Sequence, residues 1–245
     1  MKARVIVIDP PWASFDKLTM ISTKRSGHSN YAGVLTTDKL KEMNIKDITE
    51  DDSILCLWVL GSMLQDGMDV MKALGYRQTQ TFVWIKTIKD VPDLFKNSLK
   101  SVKDNITYKN AVEAIKDFVS KLHLKNLTKF GMGRLFRQSH EICLIGVKNP
   151  KSKLYKLIKN KSQRSVIFGT NDKHSAKPEE FQESLELMFP NENYIELFAR
   201  RQRPNWVCVG NEAPMTFGED IFDSIEKIKQ IDETKIKAVL QDESK

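Results

Sequence analysis

The sequence has little of what a disulfide-stapled, metal-bound or membrane-spanning protein needs. Its three cysteines, Cys56, Cys143 and Cys208, each sit inside an apolar run and share no C-x-x-C spacing. That pattern points to buried, reduced thiols. The four histidines, His28, His123, His140 and His174, stand singly with no H-E-x-x-H pair, so no metal centre is expected. No run reaches the roughly 18 apolar residues of a membrane helix. The apolar stretch 5–8 behind Met1-Lys2-Ala3-Arg4 is too short for the core of a secretory signal. An intracellular protein without a membrane anchor is the expectation.

What is present fits one α/β core. The 245 residues, 40% hydrophobic and 29% charged, suffice for one substantial domain but not for two of ordinary size. Charge is unevenly spread. Residues 86–173 hold 20 Lys and Arg against 7 Asp and Glu, a local +13, so the +7 total leaves 7 − 13 = −6 for the rest. A solvated lysine face would satisfy this count, and so would a surface that neutralises the phosphates of a polyanion.

Short apolar runs at 5–8, 54–59, 81–85, 141–147, 165–168, 194–198 and 206–209 read as strands. Most are near-continuous, as strands buried on both faces are. Helix-period segments alternate with them, predicting a mostly parallel sheet with helices on both faces. Leu64, Met68, Met71 and Leu74 recur at helical spacing and stop at Gly75. Pro178 opens another helix, whose apolar positions are Phe181, Leu185 and Met188. Residues 90–129 read as a basic helical insertion, with Leu94, Ala111, Ile115, Phe118 and Leu122 apolar. Residues 213–245 read as a C-terminal helical extension, leaving 1–212 as the main domain.

The first strand ends in Asp9-Pro10-Pro11-Trp12. Two prolines remove two backbone donors and fix two φ angles, so they stop the sheet ladder and hold a rigid loop at the strand's carboxyl end. Ligands bind at that end of an open α/β sheet. The pattern suits an exocyclic amine such as N6 of adenine, whose lone pair is delocalised into the ring. The Asp9 carboxylate can accept one amine hydrogen and the Pro10 carbonyl the other. Trp12 offers a flat face for an extruded base. A turn with an aspartate cap and a core tryptophan is the structural alternative.

Four further blocks follow in order. They are Leu57-Trp58-Val59 with Gly75-Tyr76; Phe82-Val83-Trp84-Ile85-Lys86; Gly131-Met132-Gly133-Arg134 through His140-Glu141; and His174-Ser175-Ala176-Lys177-Pro178 through Ile195-Glu196-Leu197-Phe198-Ala199-Arg200 to Asn205-Trp206 and Gly210-Asn211-Glu212. In this order the chain resembles the MT-A70 family of N6-adenine methyltransferases, in the permuted β class with the tetrad ahead of the cofactor strand.

The resemblance implies a Rossmann-like fold that takes S-adenosylmethionine as cofactor. It places Asp9, Pro10, Pro11 and Trp12 in catalysis. By the same resemblance, Ile8, Asp9, Lys177, Phe198, Arg200, Asn205, Asn211 and Glu212 match positions that line the cofactor pocket. Arg134, Arg137, Lys151, Lys153, Lys156, Lys159 and Lys161 are the candidate nucleic-acid contacts. The expected acceptor is adenine in DNA, with RNA as the alternative, and a catalytically silent nucleic-acid-binding subunit as the rival class. Pairing as a homodimer, or as a heterodimer with a related chain, is implied too. The compact form suggests the cytoplasm of a bacterium or phage-infected cell, or the nucleus in a eukaryote. Two departures stand out: only eight residues precede Asp9, and the loop Arg201-Gln202-Arg203-Pro204 is shorter than in eukaryotic relatives.

Overall fold

The near-continuous apolar runs at 5–8, 54–59, 194–197 and 206–209 become strands buried on both faces, whereas Val166 and Phe168 in the run at 165–168 are 40% and 54% exposed. The computed structural model describes residues 1–13, 34–88, 107–121, 127–129, 131, 135–149, 151, 154–170, 176–211, 213 and 220–231. Among these lie seven strands: β1 (Ala3–Ile8), β2 (Thr49–Val59), β3 (Arg77–Thr87), β4 (His140–Val147), β5 (Val166–Thr170), β6 (Tyr194–Leu197) and β7 (Trp206–Val209). The described helices are α1 (Thr37–Lys41), α2 (Leu64–Ala73), α3 (Tyr108–Lys121), α4 (Leu154–Leu157), α5 (Glu179–Met188) and α6 (Ile221–Gln230).

The strands are ordered β5-β3-β4-β2-β1-β6-β7. β1 runs parallel to β2 and β6, β6 to β7, and β3 to β5. β4 is antiparallel to β2, with Leu57 opposite Leu144 and Trp58 opposite Cys143. The sheet is therefore mixed, mostly parallel and Rossmann-like.

The chain forms two compact units. The first comprises Met1–Phe82, Ile142–Ser165 and Glu180–Lys245; the second comprises Val83–Glu141 and Val166–Glu179. In the first unit the period of two along each strand sorts residues to opposite faces. Ile6, Ile8, Leu55, Leu57, Ile195 and Leu197 join one buried cluster with Leu40 of α1, Val70 and Met71 of α2, and Ile225 and Ile228 of α6. The alternate residues meet α5: Trp58 packs edge-on against Phe181 at 5.1 Å, and Glu196 and Trp206 bond to Gln182 and Glu186.

Helix α2 differs in detail from its sequence pattern. Its buried face runs through Gly67, Val70 and Met71, while Met68 is 39% exposed. The helix lies so close to the sheet that a Cβ at Gly67 would sit 2.8 Å from Val59 Cγ2. The glycine rotates the packed face away from Met68. Its end is as the sequence predicts: Gly75 has φ +88°, its N–H bonds Lys72 O, and the Tyr76 N–H bonds Met71 O. These two bonds form a Schellman cap.

In the second unit Trp84 of β3 is fully buried and donates Nε1–H to Gly169 O of β5 at 3.0 Å. α3 falls inside the predicted insertion. It buries Ala114, whereas Tyr108, Ile115 and Val119 are 89%, 53% and 57% exposed. Ile115 thus faces solvent, and Leu94 and Leu122 lie outside the described residues. Cys56, Cys143 and Cys208 are buried and form no disulfide. No described helix is long and apolar enough to cross a membrane.

Candidate active site

From β1 the sheet extends through β2 on one side and through β6 and β7 on the other. Such a reversal opens a crevice beyond the carboxyl ends of parallel strands, where ligands bind. β1 delivers Asp9-Pro10-Pro11-Trp12 to that edge, β6 delivers Phe198-Ala199-Arg200, and β7 delivers Gly210-Asn211. Backbone bonds tie these ends together. The Asp9 N–H reaches Leu197 O at 3.4 Å, and the Ala199 N–H reaches Val209 O at 2.9 Å.

The closure is tight. A Cβ at Gly210 would lie 2.6 Å from Ala199 N and 2.8 Å from Phe198 C, and would also meet the Ala199 carbonyl oxygen. Phe198 takes φ +62°, in the left-handed region that side chains avoid. Strain of this kind persists where surrounding bonds impose it, and it gathers at functional sites.

The tetrad is held from both sides. Leu35 N–H donates to Pro11 O at 2.9 Å, and Ala13 N–H donates to Leu35 O at 3.0 Å. Asp9 is half-buried and Ile8 fully buried. Two expectations change here. Trp12 is 8% exposed within the core cluster and donates Nε1–H to Trp58 O at 2.9 Å, so its ring is a packed anchor rather than an open stacking face. The Pro10 carbonyl already accepts the Trp12 N–H at 2.9 Å, which leaves its second lone pair.

The MT-A70 family model matches residues 3–123 and 119–212, which takes in all seven strands and the tetrad. The chain belongs to the MT-A70 family. It is 26% identical over 215 residues to the human N(6)-adenosine-methyltransferase catalytic subunit METTL3, covering 86% of this chain and 28% of that protein. An Arabidopsis thaliana N(6)-adenosine-methyltransferase MT-A70-like protein is 23% identical over 212 residues, 85% of this chain and 23% of its own length. The chain therefore spans about a quarter of the length of these two relatives. A type II methyltransferase of Mycoplasma sp., M.MunI, is 23% identical over 227 residues, 87% of this chain and 78% of that one.

The remaining predicted MT-A70 site residues are spread over both units. In the first, Arg200 is half-buried while Asn205 and Asn211 are exposed; Asn205 also has a positive φ, +64°. Lys177 lies in the second unit, where its Nζ meets Glu141 Oε2 at 3.2 Å. Glu141 also holds Lys86 Nζ at 2.5 Å, and Lys86 lies 5.2 Å from the Trp84 ring centroid. Burial pushes the Glu141 carboxyl up, but the two lysines together hold it below the usual carboxylate range. Glu212, Arg134 and Lys153 lie outside the described residues.

Arg137, Lys151, Lys156, Lys159 and Lys161 are exposed, and Tyr155 among the last four is 53% exposed. Lys148, next to this stretch, is instead spent on structure, donating to Thr49 O and Thr49 Oγ1 at 3.3 and 3.0 Å. Sequence reasoning assigned no role to Gln182, Glu186 or Arg203, which the structure places around the β6–β7 loop. A signal was available: Gln182 and Glu186 stand four apart beside the apolar stripe of α5.

Proposed function

We propose that the chain is an adenine-N6 methyltransferase that uses S-adenosylmethionine and acts on DNA. One observation carries the reading: Asp9-Pro10-Pro11-Trp12 stands at the switch point of an MT-A70 sheet, bonded to the end of β6.

The residues at this edge suit the cofactor. Phe198 supplies apolar surface, Arg200 a cation for a carboxylate, and Asn205 and Asn211 amides for ribose hydroxyls. The expected contact Ile8 is instead fully buried in the core and serves only to carry Asp9 to the edge. Gly210 lets the two strand ends meet without a side chain between them. When bound, S-adenosylmethionine supplies an electrophilic methyl group carried on a sulfonium. The protein's share is positioning and modest electrostatics.

Asp9 accepts one N6 hydrogen and the free lone pair of the Pro10 carbonyl accepts the other, which turns the nitrogen lone pair out of ring conjugation. Asp9 is an acceptor first, since the methylated nitrogen is acidic enough to lose its proton readily. Trp12 serves by fixing the loop: its indole bond to Trp58 O and its backbone bond to Pro10 O set where that carbonyl sits.

Similarity over most of the length of a type II methyltransferase favours DNA. The names of the N(6)-adenosine-methyltransferase relatives favour RNA, the second reading. Labelled methyl transfer to duplex DNA, single-stranded DNA and RNA, with Asp9→Ala beside the parent, tests both. Transfer to DNA that falls by about a hundredfold or more in the variant is expected, in line with losing a group that orients the nucleophile. Undiminished transfer by Asp9→Ala sinks the mechanism, and transfer confined to RNA replaces the acceptor.

A further inference from the structure

The loop between β6 and β7 carries Arg200 and Asn205 and begins in a conformation that its first residue does not favour. Both its first residue, Phe198, and its last, Asn205, sit in the left-handed region, at φ +62° and +64°. Asparagine enters this region readily, but phenylalanine does not, so the turn at Phe198 needs support from outside the loop.

Helix α5 supplies the constraint. Glu186 takes Arg203 in a bidentate pair, Nε to Oε1 at 2.7 Å and the second guanidinium nitrogen to Oε2 at 2.9 Å. The same carboxylate accepts the Trp206 indole N–H at 2.6 Å, which locks the start of β7. One turn earlier Gln182, 2% exposed, accepts from Arg201 at 3.0 Å and donates to Glu196 of β6 at 2.5 Å. Glu196 is itself 8% exposed. Two residues four apart on one helix face therefore hold both alternate arginines of the loop and the strands at either end. Bidentate guanidinium pairs fix orientation as well as distance, which a lysine in place of Arg203 would not do.

We infer that Gln182 and Glu186 are positioning residues for the cofactor, fixing the 198–205 loop through Arg201 and Arg203 so that Arg200 and Asn205 are held ready to bind. This rests on the reading of the β6 and β7 ends as the S-adenosylmethionine site. Ordering a loop before binding removes a cost that would otherwise come out of affinity. The clamp therefore acts on binding and leaves the transfer step alone.

The test uses the whole chain. Glu186→Gln keeps the shape and removes the charge, and calorimetric titration with S-adenosylmethionine should give a Kd raised about tenfold, as loss of preorganisation predicts. KM for the cofactor should rise with it while kcat stays within about twofold. Arg203→Gln should act alike, and the double variant should be no weaker than either single one. Ile228→Val, a core change in α6, lowers stability without touching the loop and should leave Kd unchanged.

Hydrogen exchange of the cofactor-free protein supplies the second readout: amides of residues 199–205 should exchange faster in Glu186→Gln, with those of β1 unaltered. Unchanged loop exchange shows that no clamp exists. Faster exchange with an unchanged Kd shows that loop order does not govern binding, and overturns the inference equally. A parent that binds no cofactor at millimolar concentration brings down the cofactor reading, and the inference with it, a failure distinguished by the silence of the parent itself.

Discussion

Gly75 and Gly210 are both glycines that resist substitution, for different physical reasons. Gly75 is required for its φ of +88°, while the space around it is open, the nearest atom to an added Cβ being Lys46 Cε at 3.8 Å. Gly75→Ala should cost roughly 1–2 kcal/mol, the penalty for a left-handed residue. Gly210 is required for space, because its Cβ would enter the backbone of Phe198 and Ala199. Gly210→Ala should cost at least about 1–3 kcal/mol as an overpacked site that backbone, unlike a side-chain tip, relieves poorly. Urea midpoints for both variants check the order, and a Gly210→Ala chain as stable as the parent would mean that the strand ends can part freely.

Glu141 gives a pH dependence with a definite sign. Its folded pKa is lowered, against the effect of burial, by Lys177 and Lys86. Its contribution is therefore fully present above the ordinary carboxylate range and is lost as pH falls through the lowered folded value. Glu141→Gln leaves two lysines of 11% and 21% side-chain exposure without their carboxylate. At neutral pH it should cost roughly 1–3 kcal/mol. Denaturation followed from pH 7 into acid should show the parent losing this advantage and the variant changing less. Parallel curves would put the acid sensitivity elsewhere. The ion cluster was not legible as such, because Lys86, Glu141 and Lys177 are far apart in sequence. The tetrad was legible, since two prolines after an aspartate at a strand end announce a rigid loop. The role of Trp12 was not: the sequence cannot say which way an indole turns, and Leu35 and Trp58 decide it.

Among the elements, the strands were readable as near-continuous apolar runs, which burial on both faces explains in β1, β2, β6 and β7 but not in β5, where Val166 and Phe168 are exposed. Their polar ends were not: β2 begins at Thr49 and β3 at Arg77, several residues before the apolar stretches start. The antiparallel direction of β4 was hidden as well, since an apolar run reads the same in either sense. In α5 the buried Phe181 and Leu185 revealed the helix, yet the polar neighbours Gln182 and Glu186 carry the contacts that shape the β6–β7 loop. α6 shows the opposite case, its apolar positions being its packed ones, with Ile221 and Phe222 partly buried against the core. The rest of the predicted extension after Ile231 lies outside the described residues. α6 is capped by Asp220, whose side chain accepts the Phe222 N–H at 3.0 Å, and it buries Ile225 and Ile228. Ile228→Ala should cost about 2–5 kcal/mol, as a large-to-small change in a packed core. A loss well under 1 kcal/mol in chemical denaturation would show that α6 is dispensable to the first unit.

Across the whole molecule the question is how much of the positive stretch is free to meet phosphate. The count of +13 over residues 86–173 includes charges already engaged: Lys86 with Glu141, and Lys148 with Thr49 and, at 3.8 Å, Asp51. Lys156, Lys159 and Lys161 are exposed on and just after α4, around the half-exposed Tyr155. α4 itself is anchored by Leu154, 2% exposed, so substitution of those three lysines should leave the fold intact. If they contact phosphates, each releases close to one counterion on binding, and removing all three makes the slope of log K against log salt less negative by about 2–3. The triple variant Lys156→Gln, Lys159→Gln, Lys161→Gln, titrated with duplex DNA at several salt concentrations, measures this directly. Lys148→Gln is the internal comparison: it should lower stability and leave the slope as it was. An unchanged slope in the triple variant would assign these lysines to a solvated face, and the nucleic acid would have to be held by other charges of this chain.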